Sequence, residues 1–323
     1  MRRFAISLIV MAAMILPSIA MAQDVAQHLQ DVSVTIKSKN QYNSGGSEGS
    51  GVLITREVKI KDDGKETVKV NLVWTAAHVI TNLRTTRTII DSKGQKTTIV
   101  EFRDAQIVKE LVEDGRKVGE LKMDAKVILY SDSEDGHDLA LLLVRKKGFV
   151  GSSATFHLGS KKAPVGIGTR LFHVGSLLGQ SGANSMTNGI MSQVGRVLQL
   201  GTGDGTIFDQ TTCAAFPGSS GGGVFLAGTK KEEVRYVGML VRGAGETFNL
   251  IVPVRRMYEW AEARNVLWAL DPAVVAPCLD DIKSIEPEAQ VADHASISHP
   301  KSKEQKFKFM IREMKQPEID ERE

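Results

Sequence analysis

The chain has little net charge, few cysteines and only one long apolar run, and each shortage excludes something. A formal net charge of +3 gives no indication of nucleic-acid binding. No group of His, Cys, Asp and Glu has the spacing of a metal site, so neither a metal nor another cofactor is expected. Apolar residues make up 42% of the chain and glycines number 30, whereas aromatic residues are only 6%. This composition favours a globular, strand-rich protein with many turns.

The two cysteines are Cys213 and Cys278. In an oxidising compartment an even number of cysteines permits one disulfide. Their spacing does not show that the geometry of a bridge is met, so one disulfide and two buried, unpaired thiols both remain open.

The single long apolar run lies at the N-terminus and has the organisation of a secretory signal. Two arginines at residues 2–3 precede an apolar stretch at 4–16, and Ala-Met-Ala at 20–22 supplies small residues where a signal peptidase cleaves. The stretch is shorter than the roughly 20 residues of a membrane span. The sequence therefore predicts a signal peptide at 1–22 and an exported protein, periplasmic or secreted, with no membrane anchor after cleavage.

Short runs rich in β-branched and apolar residues, separated by turn residues, fill the chain from 32 to 252. They form two series, the first at 32–36, 51–54, 68–74, 97–102, 125–130 and 139–144, the second at 170–174, 189–198, 223–226, 234–241 and 248–252. Strands of this length and spacing predict a barrel or a sandwich.

Three further segments depart from this pattern. The highly charged segment 103–124 is compatible with a long hairpin or with a helix beside the first barrel. From Val254 the apolar period becomes helical, and Met257, Trp260, Ala261 and Trp268 can share one face. Residues 271–323 become polar and charged, which predicts an extension whose last part, 301–323, is disordered or partly helical.

Three local sequences supply the groups that acyl transfer by a serine requires: a base, a carboxylate that orients it, and backbone N–H donors for the oxyanion. His78 follows a β-run that ends in the small residues Ala76 and Ala77. Asp138 stands directly before a strongly apolar strand, where a carboxylate can be buried beside an imidazole. Its competitors, Asp132 and Asp135, lie further from that strand and are expected to be solvated.

The third sequence, at 217–222, is the most specific signal in the chain. It reads Pro-Gly-Ser-Ser-Gly-Gly, and its glycines permit backbone conformations that other residues resist. Taken alone it is also compatible with a polar turn, as His78 is with a structural histidine. His137 and His173 are expected to be structural.

With these three motifs in the order His, Asp, Ser, the chain resembles the chymotrypsin-like serine proteases, and among them the HtrA-type branch. The resemblance covers roughly residues 30–265. It implies an all-β fold of two six-stranded antiparallel barrels with a C-terminal helix. The protease domain would span 23–270, with barrel one at about 30–145 and barrel two at about 155–255.

The resemblance also implies roles for individual residues. Ser220 would be the nucleophile, His78 the general base and Asp138 the residue that orients it, with the N–H groups of Gly218 and Ser220 as the oxyanion hole. Ser219 stands where many family members hold an Asp that pairs with a new N-terminus, so activity without N-terminal activation is expected. The residues after 265 are too few for the PDZ domain that HtrA-type proteins usually carry.

The pocket for the side chain before the scissile bond (P1) is the least determined part of the resemblance. It implies that Ala214, Gly243 and Asn249 line this pocket, and none of them is an acid. Small or medium apolar P1 residues are expected. Arg242 either attracts an acidic side chain or faces solvent.

Three functions remain in view at this point. The leading hypothesis is a serine endopeptidase that acts on protein or peptide substrates. The alternatives are a protease-fold binding or scaffold protein with little or no activity, and a protease whose charged tail docks partners. The oligomeric state stays undetermined.

Overall fold

The computed structural model describes residues 24–287, with gaps at 40–45, 91, 95, 114–115, 135, 162–163, 200–204, 227, 229 and 244–245. The predicted signal peptide at 1–22 and the predicted tail at 301–323 lie outside these residues. Among the helices within them, none is long and apolar enough to cross a membrane.

The first barrel consists of six antiparallel strands and closes on itself. Its strands are β1 (Ser33–Ser38), β2 (Ser47–Lys59), β3 (Thr67–Thr75), β6 (Ala105–Glu113), β7 (Arg116–Ser131) and β8 (Leu139–Val144). They neighbour one another in the order β1-β2-β3-β8-β7-β6. All six residues of β8, Leu-Ala-Leu-Leu-Leu-Val, are buried, which explains its continuous apolar sequence.

The second barrel is also closed, antiparallel and six-stranded. Its strands are β9 (Arg170–Gly175), β10 (Ser185–Leu198), β11 (Thr206–Thr211), β12 (Gly223–Leu226), β13 (Arg235–Gly243) and β14 (Asn249–Pro253), in the order β10-β11-β14-β13-β12-β9. The predicted fold class, two six-stranded barrels with a C-terminal helix, is confirmed.

Individual strands differ from the sequence-based assignment. The run predicted at 97–102 belongs to β5 (Lys96–Phe102), which pairs only with β4 (Arg84–Ile90) in a separate hairpin outside the barrel. The sixth strand of barrel one is β6, and the segment 103–124 is therefore a long hairpin and not a helix. β11 was not predicted, because its Asp209 and Gln210 interrupt the apolar pattern in a run of only six residues.

Four α-helices lie within the described residues: α1 (24–31), α2 (Ala77–Ile80), α3 (Val254–Ala263) and α4 (Leu279–Ser284). Met257, Trp260 and Ala261 of α3 are buried as the helical period predicts. Trp268 does not share that helix, because α3 ends at Ala263 and Trp268 lies in a separate 3-10 turn.

The segment after α3 returns to barrel one and covers it. The Trp74 indole N–H donates a hydrogen bond to the Ala269 carbonyl at 3.1 Å, and its ring meets that of Trp260 edge-on at 6.0 Å between centroids. The two cysteines are both buried free thiols, so the open question of a disulfide is decided in favour of unpaired cysteines.

Candidate active site

His78 and Asp138 meet beside the end of strand β3. His78 lies in α2, whose first residue, Ala77, and whose N-cap residue, Ala76, are both buried. The imidazole Nδ1 lies 3.1 Å from Oδ1 and 3.0 Å from Oδ2 of Asp138. The backbone N–H of His78 donates to the same carboxylate at 3.1 Å. The histidine side chain is 35% exposed and that of Asp138 only 3%, so the carboxylate is buried beneath a ring that reaches the surface.

Asp138 sits in the loop just before β8 in a left-handed conformation with φ 54°. Its N–H donates to the carbonyl of Asp132 at 3.0 Å. The carboxylate of Asp132 is turned toward its own loop, where it accepts the N–H of Glu134 at 2.8 Å. Of the two competing acids, Asp132 therefore supports the loop that presents Asp138, and Asp135 lies outside the described residues.

The loop that carries Ser220 is packed against the strands that lead to His78. The carbonyl of Ser220 accepts the N–H of Ser50 at 2.7 Å, and the Ser50 hydroxyl donates to the carbonyl of Gly218 at 2.7 Å. Gly221 has φ 85°, and a Cβ there would lie 2.1 Å from the Ser50 carbonyl oxygen and 2.4 Å from Oγ1 of Thr75. Only glycine fits so close an approach, and the approach brings the serine loop to the strand end that carries His78.

The backbone of this loop leaves two N–H groups free. The carbonyl of Pro217 accepts the N–H of Leu178 at 2.7 Å, and that of Phe216 accepts the N–H of Ser219 at 2.9 Å. Within the described chain, the N–H groups of Gly218 and Ser220 have no acceptor, and the Ser220 hydroxyl makes no hydrogen bond to His78. Such catalytic contacts are often long without substrate and tighten when substrate binds.

The residues expected to line the P1 pocket also lie together. Asn249 is completely buried, and its Nδ2 donates to the carbonyls of Cys213 and Glu246 at 2.8 and 3.3 Å. Because both partners are acceptors, the amide oxygen must face away from them, and a Cβ on Gly243 would lie 2.2 Å from it. The Asn249 amide therefore fills the space between Gly243 and the segment that carries Ala214.

A second histidine lies against the serine loop but reaches no solvent. His173 on β9 is completely buried, and its Nδ1 is 3.0 Å from the carbonyl of Gly223. Nδ1 therefore carries the proton, and Nε2 has no hydrogen-bond partner in the described chain. Burial lowers the pKa of His173 to about 4.

Sequence reasoning did not identify the residues that support these groups. Ser50 stands directly before the run at 51–54 and Leu178 lies outside the predicted strands, so no motif includes either residue. Arg256 lies buried in the first turn of α3, where its guanidinium donates to the carbonyl of His137, the residue before Asp138. The one signal for Arg256 was a pair of arginines at a predicted helix start, where positive charge is disfavoured.

A family model described as the trypsin-like peptidase domain matches residues 49–231, which is more than half of the chain and includes all three motifs. The chain therefore belongs to the family of trypsin-like peptidases. No curated protein matches it.

Three solved structures are similar to this chain at low sequence identity. The HtrA-type protease AlgW, solved with a tripeptide, is 18% identical with a TM-score of 0.50, covering 77% of this chain and 64% of AlgW. Deg5 is 16% identical with a TM-score of 0.49, covering 78% of this chain and 97% of Deg5. The serine endoprotease from Yersinia pestis is 15% identical with a TM-score of 0.47, covering 76% of this chain and 66% of the endoprotease. This chain thus spans less than two thirds of the first and third of these structures.

Proposed function

We propose that this protein cleaves peptide bonds through an acyl-enzyme, with Ser220 as nucleophile, His78 as general base and Asp138 as the group that orients His78. The observation that carries the proposal is the contact of His78 Nδ1 with the buried carboxylate of Asp138, at 3.0 and 3.1 Å. A carboxylate on Nδ1 fixes the proton there and leaves Nε2 free to accept the proton of a serine hydroxyl.

The reaction follows from these positions. Ser220 Oγ attacks the scissile carbonyl carbon while its proton passes to His78 Nε2, and the imidazolium then gives that proton to the leaving amine. Water repeats the sequence to release the acyl group. The unoccupied N–H groups of Gly218 and Ser220 support an oxyanion hole, whose single donors typically contribute about 10²–10³ in turnover.

The Asn249 amide supports a preference for small or medium apolar P1 residues. It occupies space that a long side chain would need, and it brings no negative charge that would attract Lys or Arg. Arg242 gives little support to an acidic preference, because its Nη2 donates to the carbonyl of Ser133 at 2.8 Å. A pocket of this kind discriminates by a few kcal/mol at most, or about 10- to 200-fold per methylene group.

The binding or scaffold alternative has less support than catalysis. A protein that uses the fold only for binding has no need of a buried carboxylate on a histidine ring or of two unoccupied N–H groups beside a serine. Export through the N-terminal segment, to the periplasm or beyond, remains part of the proposal and rests on the sequence alone.

A peptide library in which only P1 varies tests the specificity. The protein from residue 23 onward should cleave after Ala or Val in preference to Phe, Lys or Glu. Ser220→Ala should abolish cleavage, whereas Ser219→Ala should not. Asn249→Gly should shift the preference toward larger P1 residues. Efficient wild-type cleavage after Lys or Glu, or an unchanged preference in Asn249→Gly, would contradict the proposed pocket.

A further inference from the structure

The first turn of α3 holds a buried positive charge whose position needs an explanation. Arg256 is only 7% exposed, and no acidic residue accompanies it in that turn. The N-terminus of a helix carries partial positive charge, so a cation is disfavoured there. Favourable contacts elsewhere must therefore offset the burial of the guanidinium.

Those contacts are to backbone carbonyls and to an aromatic ring. Nη2 donates to the carbonyl of His137 at 2.5 Å and Nη1 to the carbonyl of Ile207 at 3.0 Å. The guanidinium carbon lies 4.9 Å from the ring centroid of Phe208, while Nε is buried and has no hydrogen-bond partner in the described chain. The cation is thus held in place without a direct hydrogen bond to any of the described carboxylates.

The charges around Arg256 single out Asp138 as its counter-charge. Burial lowers the pKa of Arg256 to about 10, and Asp138 opposes this more strongly than Glu259 does, while Arg255 adds to the lowering. Asp138 is buried. Within the described chain, its carboxylate accepts hydrogen bonds only from the backbone and the ring of His78. A buried carboxylate with so few hydrogen-bond donors is stabilised by a nearby positive charge.

Tyr130, a further ionisable group that interacts with Asp138, does not supply a positive charge. Tyr130 is neutral, since burial raises its pKa, and its hydroxyl is 3.1 Å from that of Thr81. The Arg84 guanidinium is stacked over the Tyr130 ring at 5.7 Å.

We propose, on the basis of the triad assigned above, that Arg256 is a positioning residue: it holds the His137 carbonyl and supplies the buried positive charge that faces Asp138. The peptide that Arg256 holds leads directly into the left-handed conformation of Asp138. Such a conformation persists only where the surroundings hold it. The helix that follows barrel two thereby maintains the acid of barrel one.

The test is the pH dependence of the rate at which a fluorophosphonate probe modifies the protein. Modification requires an unprotonated base, and a base is harder to deprotonate once a nearby positive charge is gone. Arg256→Met and Arg256→Gln should therefore move the acid limb of the pH–rate profile upward by about one pH unit. Arg256→Lys keeps the charge but cannot hold two carbonyls in a fixed fork. It should leave the limb in place and lower the rate, by up to about 10²-fold.

A matched control separates this effect from damage to the helix. Arg255 forms a two-point ion pair with the buried Asp209, at 2.6 Å for each contact. The double variant Asp209→Asn, Arg255→Met alters the same helix turn without changing net charge, so it should leave the limb where it is.

The outcomes distinguish this proposal from the proposed function. A folded wild type that the probe never modifies would contradict the triad itself. A modified wild type whose acid limb stays unmoved in folded Arg256→Met or Arg256→Gln would contradict only the positioning role. If neither neutral variant folds, an Arg256→Lys variant with wild-type rate would overturn it.

Discussion

At the scale of single residues, three left-handed conformations lie at the proposed site. Asp138 adopts φ 54°, and Gly218 and Gly221 adopt φ 96° and 85°. A left-handed conformation disfavours any side chain, so these positions need either a glycine or a surrounding that compensates. Asp138 has such compensation in the bonds that its loop makes to Asp132 and Arg256.

The close approach at Gly221 makes the first prediction. Gly221→Ala should destabilise the protein by more than about 4 kcal/mol or prevent folding. The reason is that the added Cβ would clash with the Ser50 carbonyl oxygen, 2.1 Å away. Gly94→Ala is the matched control, since Gly94 has φ 79° but no atom within 4 Å of an added Cβ. It should cost only about 1–2 kcal/mol from backbone strain. Similar urea-unfolding free energies for the two variants would refute the packing argument.

His173 makes the second prediction, on stability against pH. Its pKa is about 4 in the folded protein against an ordinary value of 6.5, so the unfolded chain binds the proton more readily. The stability from a neutral His173 is therefore complete above about pH 6.5 and is lost as the pH falls toward 4, by about 3 kcal/mol at most.

Urea unfolding between pH 4 and 7 checks this expectation. The wild type should lose stability more steeply than His173→Gln over that range. His157→Gln serves as the control at a less buried histidine. Burial lowers the pKa of His157 as well, so this variant should differ from the wild type, but less than His173→Gln does. Parallel curves for the wild type and His173→Gln would show that His173 does not govern the acid sensitivity.

At the scale of elements, the β4–β5 hairpin contrasts with the barrels. Six of the seven residues of β4 are exposed, including Ile89 and Ile90, and its strands pair only with each other. At its base, Phe102 packs on Tyr130 at 4.9 Å between ring centroids, and the Arg84 guanidinium lies over the same ring at 5.7 Å.

The third prediction follows from that exposure. Deletion of residues 86–100, with an Asn-Gly turn joining Thr85 to Glu101, should leave the protein folded and active within about three-fold. Thr85 and Glu101 face each other across the hairpin, so a two-residue turn can join them without disturbing its base. Thermal unfolding and peptide cleavage give the readouts, and a large loss of either would show that the hairpin is structurally or catalytically required.

The elements that the sequence predicted well are those that a single pattern determines. Six consecutive apolar residues predicted strand β8. The three motifs predicted the order of His78, Asp138 and Ser220 along the chain and that these residues lie close together. β11 was missed because Asp209 and Gln210 are accommodated by tertiary partners, including the ion pair with Arg255. Arg256 was missed for the same reason: its role depends on distant residues that no local pattern brings together.

At the scale of the whole molecule, the C-terminal segment joins the two barrels. After leaving β14 it packs Trp260 on Trp74, and the carbonyl of Trp268 accepts the Nε–H of Arg56 at 2.8 Å. Leu279 and Ile282 of α4 are buried as well. The core that this segment completes therefore extends at least to α4.

Two truncations test this extent and make the fourth prediction. Removal of residues 288–323 should leave stability and peptide cleavage unchanged, whereas removal of 265–323 should expose Trp74 and yield unfolded or insoluble protein. If the shorter truncation lowers activity or abolishes binding to a partner, the polar tail has the docking role considered above.

The most direct test of the central claim is the site of covalent modification. Folded protein from residue 23 onward should take up one equivalent of a fluorophosphonate probe, and peptide mapping by mass spectrometry should locate it on Ser220. Ser220→Ala and His78→Ala should remain unmodified, whereas Ser219→Ala should be modified like the wild type. Absence of an adduct on the wild type, or an adduct that persists in Ser220→Ala, would contradict the account.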